Sequence, residues 1–168
     1  ILFMSTRAGS TVYDREFTEA FIRPGPDPES WRNRANYVAL NVLPTGPMEM
    51  SIYHRDGDRY VLRTDGFISV NAGSKAGELL TKPLVFSGRQ LQVNLSSSAL
   101  GGLRVELQKT DGSPLEGFGL QDCLPVYGDA TDLAVRWQGG GDLQSFVGQP
   151  VRLRLVLREC DLYSFRFH

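Results

Sequence analysis

Apolar and polar residues alternate along much of this chain. Leu91, Val93 and Leu95 alternate with Gln90, Gln92 and Asn94, and Leu103, Val105 and Leu107 alternate with Arg104, Glu106 and Gln108. A period of two places one set on one face of an extended backbone, so each run predicts an antiparallel strand with a single buried face. The same period marks Val151–Arg158, where Arg152, Arg154 and Arg158 share the polar side, and it returns in Leu162–Phe167. Asp161 between these last two runs predicts a tight connection and a hairpin. Asp111-Gly112 is the strongest short turn signal, predicting a type I′ hairpin flanked by Leu103–Lys109 and Leu115–Phe118. Leu133–Trp137 reads as one more strand, ending at Gly139-Gly140-Gly141.

Helix signals are short. Asp142 is placed as an N-cap, with Leu143 and Phe146 three apart and Gly148 closing the turn. A second turn is predicted over Pro28 to Arg34, opened by Asp27 or Pro28 and carrying Trp31. Upstream, Pro24, Pro26, Pro28, Pro44 and Pro47 surround two predicted strands, Asn36–Leu43 and Glu49–His54. Downstream of residues 56 to 66 strand signals recur regularly, which places a boundary near Arg55–Asp58. The pattern predicts an all-β chain: a short, irregular, loop-rich β segment over 1–57, then an antiparallel, jelly-roll-like β-sandwich over 58–168.

Composition narrows the function classes. Apolar residues make up 41% and charged residues 22% of 168, an ordinary globular balance that excludes disorder as the main description. The net charge of -1 leaves no basic footprint for a phosphate backbone, so nucleic acid is not an expected partner. The longest apolar stretches, such as Tyr37 to Leu43, fall far short of the roughly 20 residues that span a bilayer, so no membrane span is expected. The start Ile1-Leu2-Phe3-Met4 has no signal-peptide pattern and reads as a fragment or processed product. Cys123 and Cys160 read as two separate buried thiols, with a disulfide as the alternative, and leave the compartment open.

Several stretches together resemble a known family. Asp65-Gly66-Phe67 with Val70 and Ala72-Gly73, Gly77 to Leu84, Leu103 to Leu107 with Asp111-Gly112, and Val151 to Arg154 through Asp161-Leu162-Tyr163-Ser164 resemble the C-terminal sandwich of bacterial glycosidase-like proteins. In those proteins a five-bladed β-propeller related to the invertase and arabinanase enzymes precedes the sandwich. Phe17 to Gly25 with Trp31, Asn33, Arg34 and Asn36, then Pro44 to Pro47 and Glu49 to Tyr53, resemble the last blade of that propeller. The resemblance implies a non-catalytic carbohydrate-binding or accessory module. Glycoside hydrolysis needs two carboxylates across the scissile bond, and the family carries these largely on earlier blades. Two alternatives stand beside it: a fragment of a glycoside hydrolase whose catalytic blades are absent, and a purely structural bracing domain. Carbohydrate, the remainder of a propeller or a second copy of the chain are the implied partners, in an extracellular or periplasmic setting.

Candidate ligand-binding residues follow from their chemistry. Glu49, aimed by Gly46-Pro47, joins Arg34 and Asn36 as hydrogen-bonding groups, although an ion-paired Glu on a strand is the plainer reading. Trp31, Tyr37 and Tyr53 offer faces for sugar rings, or else pack in a core. Trp137, at a strand end beside the glycine loop, is the leading stacking candidate. Asp122, Asp129, Asp132 and Asp142 lie in loops and suggest calcium as the one conceivable cofactor, but their spacing suits turns and caps better. His54 and His168 are too isolated for zinc, and neither a Gly-x-Ser-x-Gly elbow nor a phosphate-binding glycine loop is present.

Overall fold

The computed structural model describes residues 1–33, 37–55 and 57–168. It is nearly all β, with 46% of residues in strands and 4% in helix, and its sheets are antiparallel and sandwich-like. Among the described residues no helix is long and apolar enough to cross a membrane. The chain divides into two units, Ile1–Leu62 and Arg63–His168.

The first unit holds helix α1 (Pro28–Asn33) and a three-stranded sheet in the order β1 (Leu43–Gly46), β2 (Glu49–Tyr53), β3 (Arg59–Arg63). Asp27 Oδ1 accepts the Glu29 N–H at 3.0 Å, opening α1 where the sequence places a turn. The strand expected over Asn36–Leu43 is different. Asn36 lies outside the described residues, Val38 makes an isolated bridge to His54, and β1 begins only at Leu43 because Asn41 takes a φ of 77° that interrupts the extended backbone. The strand β3 pairs with β2, and its last residue, Arg63, is the first of the second unit. Leu2, Val12 and Phe17 are exposed in this unit, while Ile22 and Ile52 are buried.

The second unit contains β4 (Val70–Ala72), β5 (Gly77–Leu80), β6 (Leu91–Gln108), β7 (Asp129–Ala134) and β8 (Arg152–Phe167). Their order is β4-β8-β6-β7, with β5 also on β8. The two runs 91–95 and 103–107 are one strand, and so are 151–158 and 162–167. No hairpin forms at Asp161. That residue sits within β8, opposite Asn71 and Ser96, and its carboxylate accepts hydrogen bonds from Ser69 Oγ at 2.7 Å and Asn71 Nδ2 at 3.0 Å. The chain bends instead of turning. Ser97 pairs with Cys160 and Gly102 with Arg158, leaving residues 98–101 opposite Glu159 alone. Glu159 has a φ of 44°, and Ser98 Oγ donates to its carboxylate at 2.6 Å. A bulge of this kind re-aims a strand without ending the ladder.

Both halves of the bent ladder contribute to a single core. Leu91, Val93 and Leu95 join Leu103, Val105 and Leu107, with Leu153, Leu155 and Leu157 across the ladder. Phe86 stacks on Phe167 at 3.9 Å, and a 3-10 turn, Gln144–Phe146, drops Leu143 into the same core beneath the Asp142 carboxylate that accepts the Gln144 N–H. At Asp111-Gly112 the chain does reverse, but only Gly112 has positive φ, so the connection is a type I turn followed by one left-handed residue rather than type I′. Leu115 and Phe118 bond to Leu107 without forming a regular strand.

Arg63 secures the entry to this unit. Its side chain is 16% exposed, donates to Asn94 Oδ1 at 2.5 Å, to Leu95 O at 3.0 Å and to the Asp129 carboxylate, and lies 5.0 Å from the Tyr163 ring centre. Asn94 in turn donates to Thr64 O at 2.7 Å. Removing the guanidinium strands the buried Asn94 and Leu95 acceptors, so Arg63→Ala is expected to cost about 2 kcal/mol of unfolding free energy. Urea denaturation of the full chain checks this, and an unchanged midpoint would contradict the role given to Arg63.

Candidate functional site

The bulge in β6 builds a surface on the outer side of the second unit. Gly102 lies so close to Val126 that a Cβ there would meet the Val126 carbonyl at 2.8 Å. Leu103 and Val126 exchange both backbone hydrogen bonds, at 2.8 and 2.9 Å. Val126 points into the core, so by alternation Pro125 and Tyr127 point outward. The next residue, Gly128, is tied to Ser97 on both sides: its N–H donates to Ser97 Oγ at 3.0 Å and its carbonyl accepts from Ser97 N at 2.9 Å. Tyr127 therefore projects from a backbone fixed before and after it, with its residue surface 67% exposed.

Arg136 reaches the same side by the same logic. Val135 and Trp137 are buried, so Arg136 between them faces out, and Leu124 N donates to its carbonyl at 2.9 Å. Leu124, Pro125, Tyr127, Leu133 and Arg136 line an open depression of about 400 Å³. A second depression, of about 410 Å³, lies on the far side of Pro125 and is lined by Leu100, Arg104, Val156 and Arg158. Leu100 stands at the tip of the bulge, 82% exposed. Arg104 is held in place by donating to the Leu120 and Cys123 carbonyls at 3.2 and 3.3 Å. No carboxylate lines either depression. The result is an aromatic ring and aliphatic side chains flanked by exposed guanidinium groups, on rigid backbone.

Trp137, the leading stacking candidate from sequence, is not available there. It is 1% exposed, its indole N–H donates to Val105 O at 3.0 Å, and Phe118 lies 5.1 Å from it. Val135 and Trp137 share the inner face of an extended run, and Trp137 and Gly140 close a tight turn by mutual backbone bonds that exposes Gln138 to Gly140 instead. Tyr127 has the sequence feature that singled out Trp137, an aromatic residue beside a glycine in a loop.

In the first unit, Glu49 is bound into a local network. Its Oε1 accepts from Thr45 Oγ1 at 3.0 Å and from the Arg59 guanidinium, and Arg59 Nε also donates to the buried Ser51 Oγ at 2.9 Å. That is the ion-paired strand glutamate of the plainer reading. Trp31 is 53% exposed with its indole N–H donating to Gly25 O at 2.6 Å, and Tyr37 is exposed while Tyr53 is partly buried. Arg34 and Asn36 lie outside the described residues.

Asp129 and Asp132 stand on β7 rather than in loops, and Asp122, Asp129 and Asp142 each have a different partner. Asp122 accepts the Gly119 N–H at 3.1 Å, Asp129 pairs with Arg63, and Asp142 pairs with Arg89, whose hydrogen bond holds its carboxyl below the usual range. Among the described residues no group of three or more His, Cys, Asp or Glu side chains comes together to hold a metal. Cys123 and Cys160 are separate free thiols, and burial raises the pKa of both. Val105 N donates to Cys123 Sγ at 3.1 Å, so that thiol belongs to the core packing. Compared with known proteins, the chain matches no family, no curated protein and no solved structure.

Proposed function

We propose that this chain is a non-catalytic carbohydrate-binding module, and that the sugar is held on the outer face beside Tyr127. One observation carries the reading: a rigidly anchored, exposed aromatic ring borders an open depression whose far side carries a guanidinium group. A sugar presents an apolar face of C–H groups and a rim of hydroxyls, which such a pairing of ring and donors complements. The family resemblance drawn from sequence points to the same ligand class.

Affinity electrophoresis of the full chain through gels containing soluble polysaccharides tests this. Retardation by at least one glycan is expected, and Tyr127→Ala should reduce it by about tenfold in affinity, the loss of one stacking contact of roughly 1 to 1.5 kcal/mol. Mobility unaffected by every glycan would reject the reading.

A second reading has an observation in its favour. Leu2, Val12 and Phe17 are 44, 67 and 49% exposed, which suits a blade-like unit that packs on further strands of a propeller.

A further inference from the structure

We infer that the carbohydrate bound on this face is an anionic polysaccharide, one whose sugars carry carboxylate or sulfate groups. The inference rests on reading the face as a carbohydrate platform, and it names the ligand class.

The argument is one of charge. The chain as a whole has a net charge of -1, yet the two depressions that share Pro125 are lined by Arg104, Arg136 and Arg158 and by no acidic residue. Not every arginine of these strands is free of a carboxylate. Arg154 forms a two-pronged pair with Glu78, at 2.6 and 3.0 Å, and lies 3.6 Å from Glu106. Arg104, by contrast, bonds to backbone carbonyls, and all three arginines around Pro125 are exposed. Among the described residues Arg104, Arg136 and Arg158 form no ion pair, and they are the charged residues that line the two depressions.

A guanidinium fork matches the planar oxygens of a carboxylate and the tetrahedral oxygens of a sulfate, with charge-assisted bonds roughly twice as strong as neutral ones. A neutral sugar seated in the same place would remove water from the arginines without giving back an ion partner. The arrangement of the two depressions on either side of the Pro125 ridge, with Tyr127 and Arg136 on one side and Arg104 and Arg158 on the other, fits successive sugars of one charged chain.

The test is binding of the full chain to polygalacturonate, dextran sulfate, neutral galactan, dextran and polyglutamate by isothermal titration calorimetry. Polygalacturonate or dextran sulfate is expected to bind at least about tenfold more tightly than the neutral polymers. Whichever binds tighter identifies the anionic group. Raising the salt from about 0.02 M to about 0.3 M should weaken that binding, because screening at the higher value acts within a few ångströms. Arg136→Ala, at an exposed position that leaves the core untouched, should weaken it about tenfold, while Tyr127→Ala weakens anionic and neutral polymers alike. Neutral galactan or dextran bound as tightly, with no effect of Arg136→Ala, would overturn the anionic assignment and leave the carbohydrate reading standing. Polyglutamate bound as tightly as polygalacturonate would overturn it in favour of an acidic polypeptide. No polymer bound at all would remove both readings.

Discussion

Trp137→Ala is expected to destabilise the 63–168 unit by about 4 kcal/mol, the largest effect of any single substitution considered for this chain. The side chain is 1% exposed and in contact with a continuous apolar cluster, so its removal opens a cavity that Leu143, Val105 and their neighbours fill only in part. The Val105 carbonyl also loses its indole donor. Trp137→Phe separates the two contributions. It keeps most of the ring volume but not the N–H, and a loss of about 1 to 2 kcal/mol is expected. Urea denaturation followed by circular dichroism measures both. A surface tryptophan kept for sugar stacking would instead tolerate alanine within about 0.5 kcal/mol, and that result would place Trp137 outside the core.

Gly101→Ala is expected to cost about 3 kcal/mol, for a purely steric reason. A Cβ at this position would lie 2.3 Å from the Glu159 carbonyl oxygen and 2.6 Å from that of Arg158. Both are backbone atoms of the paired strand, at the bend where Glu159 holds its positive φ, so neither can swing aside as a side chain would. Relief requires β6 and β8 to separate, and that strains the Ser97 contacts that hold Gly128 and present Tyr127. The variant should therefore lose stability and ligand affinity together. Gly139→Ala is the control: nothing lies within 4 Å of its added methyl, and its stability should be unchanged within about 0.5 kcal/mol. Equal stability of the two variants would mean that the bulge is not packed as described.

These two positions also show what a reader of the sequence can and cannot see. Period-two alternation located the residues of β6 and β8 correctly, because burial of one sheet face writes itself directly into residue choice. It did not reveal that each strand continues through its bend. Ser96 to Ser98, Gly101, Gly102 and Asp161 are turn-forming residue types, and a bulge uses the same types as a loop, since both need unpaired or left-handed backbone. The partner strand decides between them, and the partner is a tertiary fact. Pro44 and Gly46 hid β1 for a similar reason, since they are allowed at a sheet edge although they discourage a strand elsewhere. The 3-10 turn at Gln144–Phe146 was legible because its signals are local: an aspartate carboxylate two residues before the amide it accepts, and an apolar pair three apart.

The candidate site was less legible than the fold. Glu49 and Trp31 were named from chemistry, and their surroundings could not be: the Arg59 that pairs with Glu49 sits on β3, a strand away. Trp137 had the alternation that buries it written beside it, two residues after Val135, and the adjacent glycines drew attention to the loop instead. Tyr127 and the arginines around Pro125 are scattered from residue 104 to 158, so only the bent ladder assembles them.

The most direct measurement is to map the ligand on the protein. Amide chemical shifts of the full chain, recorded by NMR while oligomers of the glycan that retards it most in gels are added, should move at Leu124, Val126, Tyr127 and Gly128, at Ala134 to Arg136 and around Leu100, and stay still near Trp31 and Glu49. Shifts confined to the first unit, or no shifts at concentrations that saturate any retardation in gels, would contradict a carbohydrate site at Tyr127.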